Sequence, residues 1–196
     1  MYLVTGGAGF IGSNIAAAIE ERGLGKVVIS DRLREADKWR NVAKRELVEV
    51  VHPDDLFYFL HDNPADLKGV VHMGAISSTT ETDVDLIYRN NFELSMDLWS
   101  WCTENKVPYI YASSAATYGD GANGFVDDSS IDALAKLRPL NPYGWSKQLF
   151  DRRVMRMLDD GEAKPPQWAG LKFFNVYGPN EYHKGSMQSV ASKVYT

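Results

Sequence analysis

A chain of 196 residues with a formal net charge of -5 is long enough for one compact domain with a sizeable core and short for two ordinary ones. Its 44% hydrophobic and 24% charged residues include no basic footprint for a phosphate backbone, which excludes nucleic acid as an expected partner. No run approaches the roughly 20 apolar residues that span a bilayer, so no membrane contact is expected either. In chain order, short β-branched runs alternate with longer helical patterns: "YLVT" then 11–23, "KVVIS", "LVEVV" then 53–62, "GVVHM" then 84–105, "YIYASS" then 143–160, and "GLKFF". Strand, helix, strand repeated in this way predicts an α/β fold, a doubly wound parallel sheet covered on both faces, with strands that are apolar throughout.

Ligands of such sheets lie at the carboxyl ends of the strands, so the residues just after each strand are the candidates for function. Two stretches read as mobile surface, the charged 32–46 and the Gly- and Asp-rich 119–138. The N-terminal "MYLVT" enters a glycine loop without the features of a signal peptide, which points to the cytoplasm. The single cysteine, Cys102, lies in the apolar pattern "LWSWC" and reads as a buried, inert thiol. The four histidines show no ligand spacing with one another or with Cys102, and no metal site is predicted.

"TGGAGFIGSN" follows the first strand and opens a helix, with glycines at Gly6, Gly9 and Gly12. Such glycines permit a tight turn, let the backbone approach a pyrophosphate, and let helix and strand pack closely; the amides of the helix start then hold the anion. Asp31 comes nineteen residues after Gly12, directly after "KVVIS", where a carboxylate can bond an adenosine ribose hydroxyl. Asp31 alone suggests NAD, whereas Arg32, Arg34 and Lys38 beside it can pair with a 2′-phosphate, and charge favours NADP. Gly74, Ala75 and Ser77 in "MGAISS" are small residues at a strand end that let a dinucleotide lie close, and Asn90 and Asn91 follow a helical run. For the serines, loop polarity and binding explain the residues equally well.

"YASSAATYG" ends the fifth strand, and "NPYGWSK" sets Tyr143 and Lys147 four apart, on one helix face behind Pro142. An ammonium beside a phenol favours the phenolate, which should lower a pKa of about 10 toward a value useful for acid-base work, and Ser114 could hold the reacting hydroxyl or carbonyl.

"GGAGFIG", "SSAATYG", "YGWSK" and "FFNVYGP" together resemble the extended short-chain dehydrogenase/reductases, the NAD-dependent epimerase/dehydratase family, whose Rossmann-fold members mostly act on nucleotide sugars. The resemblance implies Tyr143 as acid-base residue, Lys147 as its activator and nicotinamide-ribose anchor, and Ser114 as the polarising hydroxyl. It also implies Phe10 and Ile11 in the cofactor loop, Asn175 against the sugar nucleotide and Val176 at the nicotinamide end. More narrowly, "GAISSTTETD", "YASSAATYG" and "NEYHKGSM" resemble the branch that uses NADP to epimerise ADP-heptose at C6 for the lipopolysaccharide inner core.

Inversion at C6 requires an aldehyde to present either face to one fixed nicotinamide, with a proton partner in each orientation. Spacing alone reads Lys184 as a solvated loop lysine; the resemblance assigns it as the second acid-base group, close to the cofactor, with Ser186 and Lys193 facing ADP-heptose. It further implies a homo-oligomer. Met73 stands where the branch commonly carries an acidic residue, and 44–55 matches poorly. The expected organisation is an NADP-binding domain over 1–175 and the start of a substrate segment over 176–196, with the C-terminal substrate lobe missing. Another nucleotide-sugar epimerase or reductase of the family, or an NADP-binding module without turnover, stay open as alternatives.

Overall fold

The computed structural model describes residues 1–34 and 37–195, with backbone alone for Ser186, Met187 and Tyr195. It comprises two compact units, Met1–Gly74 together with Asn175–Thr196, and Ala75–Phe174. Among the described residues no helix is long and apolar enough to cross a membrane.

The first unit opens with β1 (Tyr2–Thr5), α1 (Phe10–Glu21) and β2 (Val27–Ser30), then a 3-10 turn (Asp37–Asn41), β3 (Leu47–Val51), a second 3-10 turn (Pro53–Asp55), α2 (Leu56–Asp62) and β4 (Gly69–His72). Its strands are parallel, in the order β3-β2-β1-β4. The chain thus winds outward from β1 to β3 and crosses back to the other side of β1, the reversal that defines the doubly wound class and opens a crevice at the ends of β1 and β4. Leu3, Val4, Val28 and Ile29 are fully buried, and Val4 and Ile29 pack with Ala16 and Ile19 of α1. Each large aliphatic side chain so buried contributes roughly 1.5–3 kcal/mol. β3 departs from the expectation of apolar burial throughout: Val48, Glu49 and Val50 are exposed, as suits the strand at the edge of this order.

The second unit contains α3 (Val84–Ile87), a π-helical turn (Tyr88–Glu93), α4 (Leu94–Glu104), β5 (Tyr109–Ser114), a 3-10 turn (Ala115–Tyr118), α5 (Ile131–Lys136), α6 (Pro142–Asp159) and β6 (Trp168–Phe173), with β5 and β6 parallel. Its core is aromatic. Trp99 meets Tyr109, Phe150 and Trp168 edge-on, with ring centroids 6.1, 6.4 and 5.4 Å away. Cys102 is buried beside them, and burial pushes its thiol up to about 12, the inert group expected.

The two stretches expected to be mobile surface each carry a short element. Within 32–46 the chain forms the 3-10 turn at Asp37–Asn41, and within 119–138 it forms α5, started by a Ser130 side chain that accepts from Ala133 N. Both are short elements that a polar composition conceals. The single helix expected over 84–105 is broken by the π turn at Tyr88–Glu93.

Candidate active site

The predicted residues divide between the two units. In the first, Gly9 is the N-cap of α1 and supplies no side-chain cap, so among the described residues no capping side chain answers the amides of its first turn. A Cβ on Gly12 would lie 2.2 Å from the Gly6 carbonyl oxygen, and one on Gly6 would lie 2.7 Å from the Gly74 Cα. The loop and the end of β4 therefore approach too closely for any side chain, and Phe10 and Ile11 follow within this turn. Thr5 ties the same corner: its Oγ1 contacts His72 Nδ1 at 2.6 Å and accepts from Gly74 N at 3.1 Å.

Asp31 is buried directly after β2, where Oδ2 accepts from Ala8 N at 2.9 Å and Oδ1 accepts from the Lys38 ammonium. Arg32 turns instead to Asp54, 2.5 Å away on the surface. Asn41, also buried, donates to the Ala8 carbonyl at 2.8 Å and meets His183 Nδ1 at 3.1 Å, which leaves its Oδ1 as a buried acceptor with no partner. An uncapped helix start, a close-packed glycine turn, a strand-end carboxylate and an orphan acceptor fit the pyrophosphate and hydroxyls of a dinucleotide.

The segment that carries Lys184 is tied to that loop by several bonds. Asn14 Nδ2 donates to the Pro179 carbonyl at 3.0 Å, Asn180 Nδ2 donates to Ser13 Oγ at 3.0 Å, and the Lys184 ammonium lies 5.1 Å from the centre of the Phe10 ring. Buried Glu181 braces the segment from within, accepting from Gly178 N, Ser189 N and Ser189 Oγ at 2.6–2.9 Å. Burial lowers the His183 pKa, and the nearby Lys38 charge acts the same way. Asn175 is exposed, Val176 half-buried, and Lys193 exposed on the last helix; the side chain of Ser186 lies outside the described residues.

In the second unit Ser114 ends β5, Tyr143 and Lys147 stand one turn apart on α6, and the Ser114 side chain acts on the Tyr143 phenol. Asn141 caps α6 by accepting from Gly144 N at 2.8 Å, and Pro142 occupies its first turn. Gly144 lets the helix reach the turn after β5, since a Cβ there would lie 2.7 Å from the Ala116 carbonyl oxygen.

The electrostatics differ from the expectation that the ammonium would lower the phenol. Burial raises the Tyr143 pKa above its usual value, and the Ser114 bond offsets this only in part. Burial also brings Lys147 down to about 8, with the Asp151 carboxylate acting upward. Between about 8 and the ordinary 10.5, the unfolded chain holds a proton that the folded chain has released, so stability rises with pH across that window. Lys147→Met is accordingly expected to stabilise the fold at pH 7 by ~1–3 kcal/mol, several degrees in Tm, with the gain fading toward pH 10 in thermal melts.

Ala75 is half-buried, Ser77 is exposed, and Asn90 donates to the Leu86 carbonyl at 2.8 Å. Its neighbour Asn91 is the organising residue: fully buried in the π turn, it accepts from Ile76 N at 2.8 Å and donates to Ile76 O at 3.0 Å and Ser146 Oγ at 3.1 Å. Sequence reasoning also passed over Asp151 and Lys172, although Tyr143, Lys147 and Asp151 recur at a spacing of four and Lys172 interrupts the apolar run "GLKFF".

The model of the NAD dependent epimerase/dehydratase family matches residues 2–196. The ADP-L-glycero-D-manno-heptose-6-epimerase of Fusobacterium nucleatum is 48% identical over 197 aligned positions, covering 100% of this chain and 58% of the relative. Among solved structures, the enzyme of the same name from Helicobacter pylori superposes with a TM-score of 0.81 at 30% identity, over 98% of this chain and 60% of that one. UDP-glucuronic acid 4-epimerase from Bacillus cereus, in complex with NAD, gives 0.73 at 25% identity, over 91% and 57%. The chain thus spans somewhat under three fifths of the curated relative it matches. With a family model that spans the sequence and a parallel sheet reversing at β1, the chain belongs to the NAD dependent epimerase/dehydratase family.

Proposed function

We propose that the full gene product epimerises ADP-D-glycero-D-manno-heptose at C6 to the L-glycero form, in the cytoplasm and as a homo-oligomer, supplying the lipopolysaccharide inner core. The observation that supports this reading is the position of Lys184, over the Phe10 ring on a segment hydrogen-bonded to Ser13 and Asn14 at the start of α1. NADP, when bound, supplies hydride acceptance and return at C6. Tyr143 exchanges the proton of the reacting hydroxyl in one substrate orientation, Ser114 holds that oxygen, and Lys147 anchors the nicotinamide ribose. Lys184 performs the same task in the other orientation, as inversion demands. Asn175, Ser186 and Lys193 contact the nucleotide sugar.

NADP is favoured over NAD because Lys38 answers Asp31 at the strand end, leaving a carboxylate whose repulsion of a 2′-phosphate is offset. Arg32 is engaged by Asp54, so Lys38 is the cation assigned to that phosphate. Lys38→Ala is expected to weaken NADPH binding about tenfold more than NADH binding, as loss of one charge-assisted bond would, measured by fluorescence of the reduced dinucleotide. Equal losses would reject the assignment.

The deciding experiment is incubation of the gene product with ADP-D-glycero-D-manno-heptose and catalytic NADP, with the C6 epimer resolved by chromatography. Conversion of that substrate, and none of UDP-glucuronic acid or UDP-glucose, is the expected result. Turnover of the UDP-sugars alone would move the protein to another branch of the family.

A further inference from the structure

A chain of polar contacts inside the second unit joins the turn after β5 to α6. Asp151 lies one turn beyond Lys147 on α6 and is buried. Its carboxylate accepts from Tyr111 Oη at 3.1 Å and Ser113 Oγ at 2.6 Å, both on β5, and from Lys172 Nζ on β6 at 2.6 Å. Lys172 donates a further bond to Thr117 Oγ1 at 2.9 Å, and Thr117 in turn donates to the carbonyl of Ser114 at 2.8 Å. The Lys172 ammonium also lies 5.4 Å from the Tyr118 ring centre.

Such a pair is a poor device for stability alone. Removing two charges from water costs several kcal/mol, and apolar residues of similar volume commonly serve as well or better. Lys172 interrupts an otherwise apolar strand, between Leu171 and Phe173. Both ends of the chain of contacts meet catalytic candidates, the backbone of Ser114 at one end and the turn of α6 next to Lys147 at the other.

We propose that Asp151 and Lys172 are positioning residues, which fix the Ser114 turn against α6 and set the Asp151 carboxylate one helical turn from Lys147. This rests on the reading of Ser114, Tyr143 and Lys147 as the reacting set. The carboxylate acts upward on Lys147, against burial. The groups facing Asp151 are Tyr111 and Ser113 from β5, Lys172 from β6, Lys147 from its own helix, and Tyr118 from the turn, with Asp127 acting on Tyr118 beyond. Lys172 also borders a cavity of about 720 Å³ along β6, with Tyr118, Phe125 and Phe174 on its wall, so the pair is partly open to water on that side.

The test uses the full gene product with ADP-D-glycero-D-manno-heptose. Lys172→Met is expected to lower kcat about 100-fold, the scale of an ångström misplacement, with KM changed less than about threefold. Lys172→Arg, long enough to reach Asp151 and Thr117, is expected to restore most of that loss. Asp151→Asn is expected to move the basic limb of kcat/KM toward lower pH by about half a unit or more, a change that a packing role would not produce. Thr117→Val removes one link alone and is expected to lower kcat about tenfold, which keeps the proposal open to refutation if Asp151→Asn does not fold.

Tyr143→Phe is run alongside. If it loses turnover while Lys172→Met and Thr117→Val keep wild-type kcat, or while the limb of Asp151→Asn stays in place, the positioning role is overturned. If Tyr143→Phe itself keeps wild-type turnover, the reaction assignment falls, and this inference with it.

Discussion

Lys184→Ala is expected to lower epimer formation by about 10²–10⁴-fold, the range for loss of a positioned acid-base group, while the melting temperature stays within a few degrees of wild type. The asymmetry follows from what Lys184 touches. Its ammonium faces the Phe10 ring at 5.1 Å, a contact worth ~0.5–1 kcal/mol where exposed. The segment is held by other groups, namely Glu181, Asn180, Asn14 and the Asn41–His183 contact, none of which the substitution removes. Inversion needs a proton partner in each of two substrate orientations, so losing one should stop the cycle halfway. Wild-type epimer formation in Lys184→Ala, measured with saturating NADP, would remove it from the mechanism.

Tyr143→Phe should cost a similar 10²–10⁴-fold in kcat with KM little changed, because only the phenol oxygen is lost. The pH dependence sharpens this. Burial holds the phenol above its ordinary value, so at neutral pH it carries its proton, and Lys147 at about 8 is the group that changes charge nearer neutrality. In the proposed mechanism Lys147 acts as an ammonium, hence activity should be full below about pH 8 and fall as pH rises through it. In Tyr143→Phe the residual rate should be almost independent of pH across that window. A residual rate with the wild-type limb would show that Lys147 acts without the phenol.

Local signals carried the reading of the fold. The glycine turn, the spacing of Tyr143 and Lys147, and the strand-helix alternation are each written within a few residues, and each found its structural counterpart. What stayed hidden depends on partners far away in sequence. Lys172 reads as an oddity within a strand until Asp151 and Thr117 are beside it, 21 and 55 residues away. The upward position of the phenol is likewise invisible, because an ammonium four residues away is plain in the sequence while the burial that raises the phenol is a tertiary property. Asn90 and Asn91 were indistinguishable as neighbours; only the π turn decides which amide faces inward. α5 was missed because six residues bounded by Asp, Ser and Arg carry too little periodicity to outweigh a turn-rich composition.

That π turn has a bearing on which changes of length the chain can absorb. A π turn holds one residue more than the α-helix on either side of it, so Tyr88–Glu93 is in effect an insertion that was kept. Deleting one residue there would let Val84–Ile87 and α4 join in one regular α-helix, with the phase of both kept. Val84–Ile87 would keep its inward face, and the loss would fall on the widened turn that aims Asn91 at the Ile76 backbone. Elsewhere in a helix a single-residue deletion turns one flank by about 100°; here the extra residue can go without that rotation, and what is lost is the placement of one buried amide.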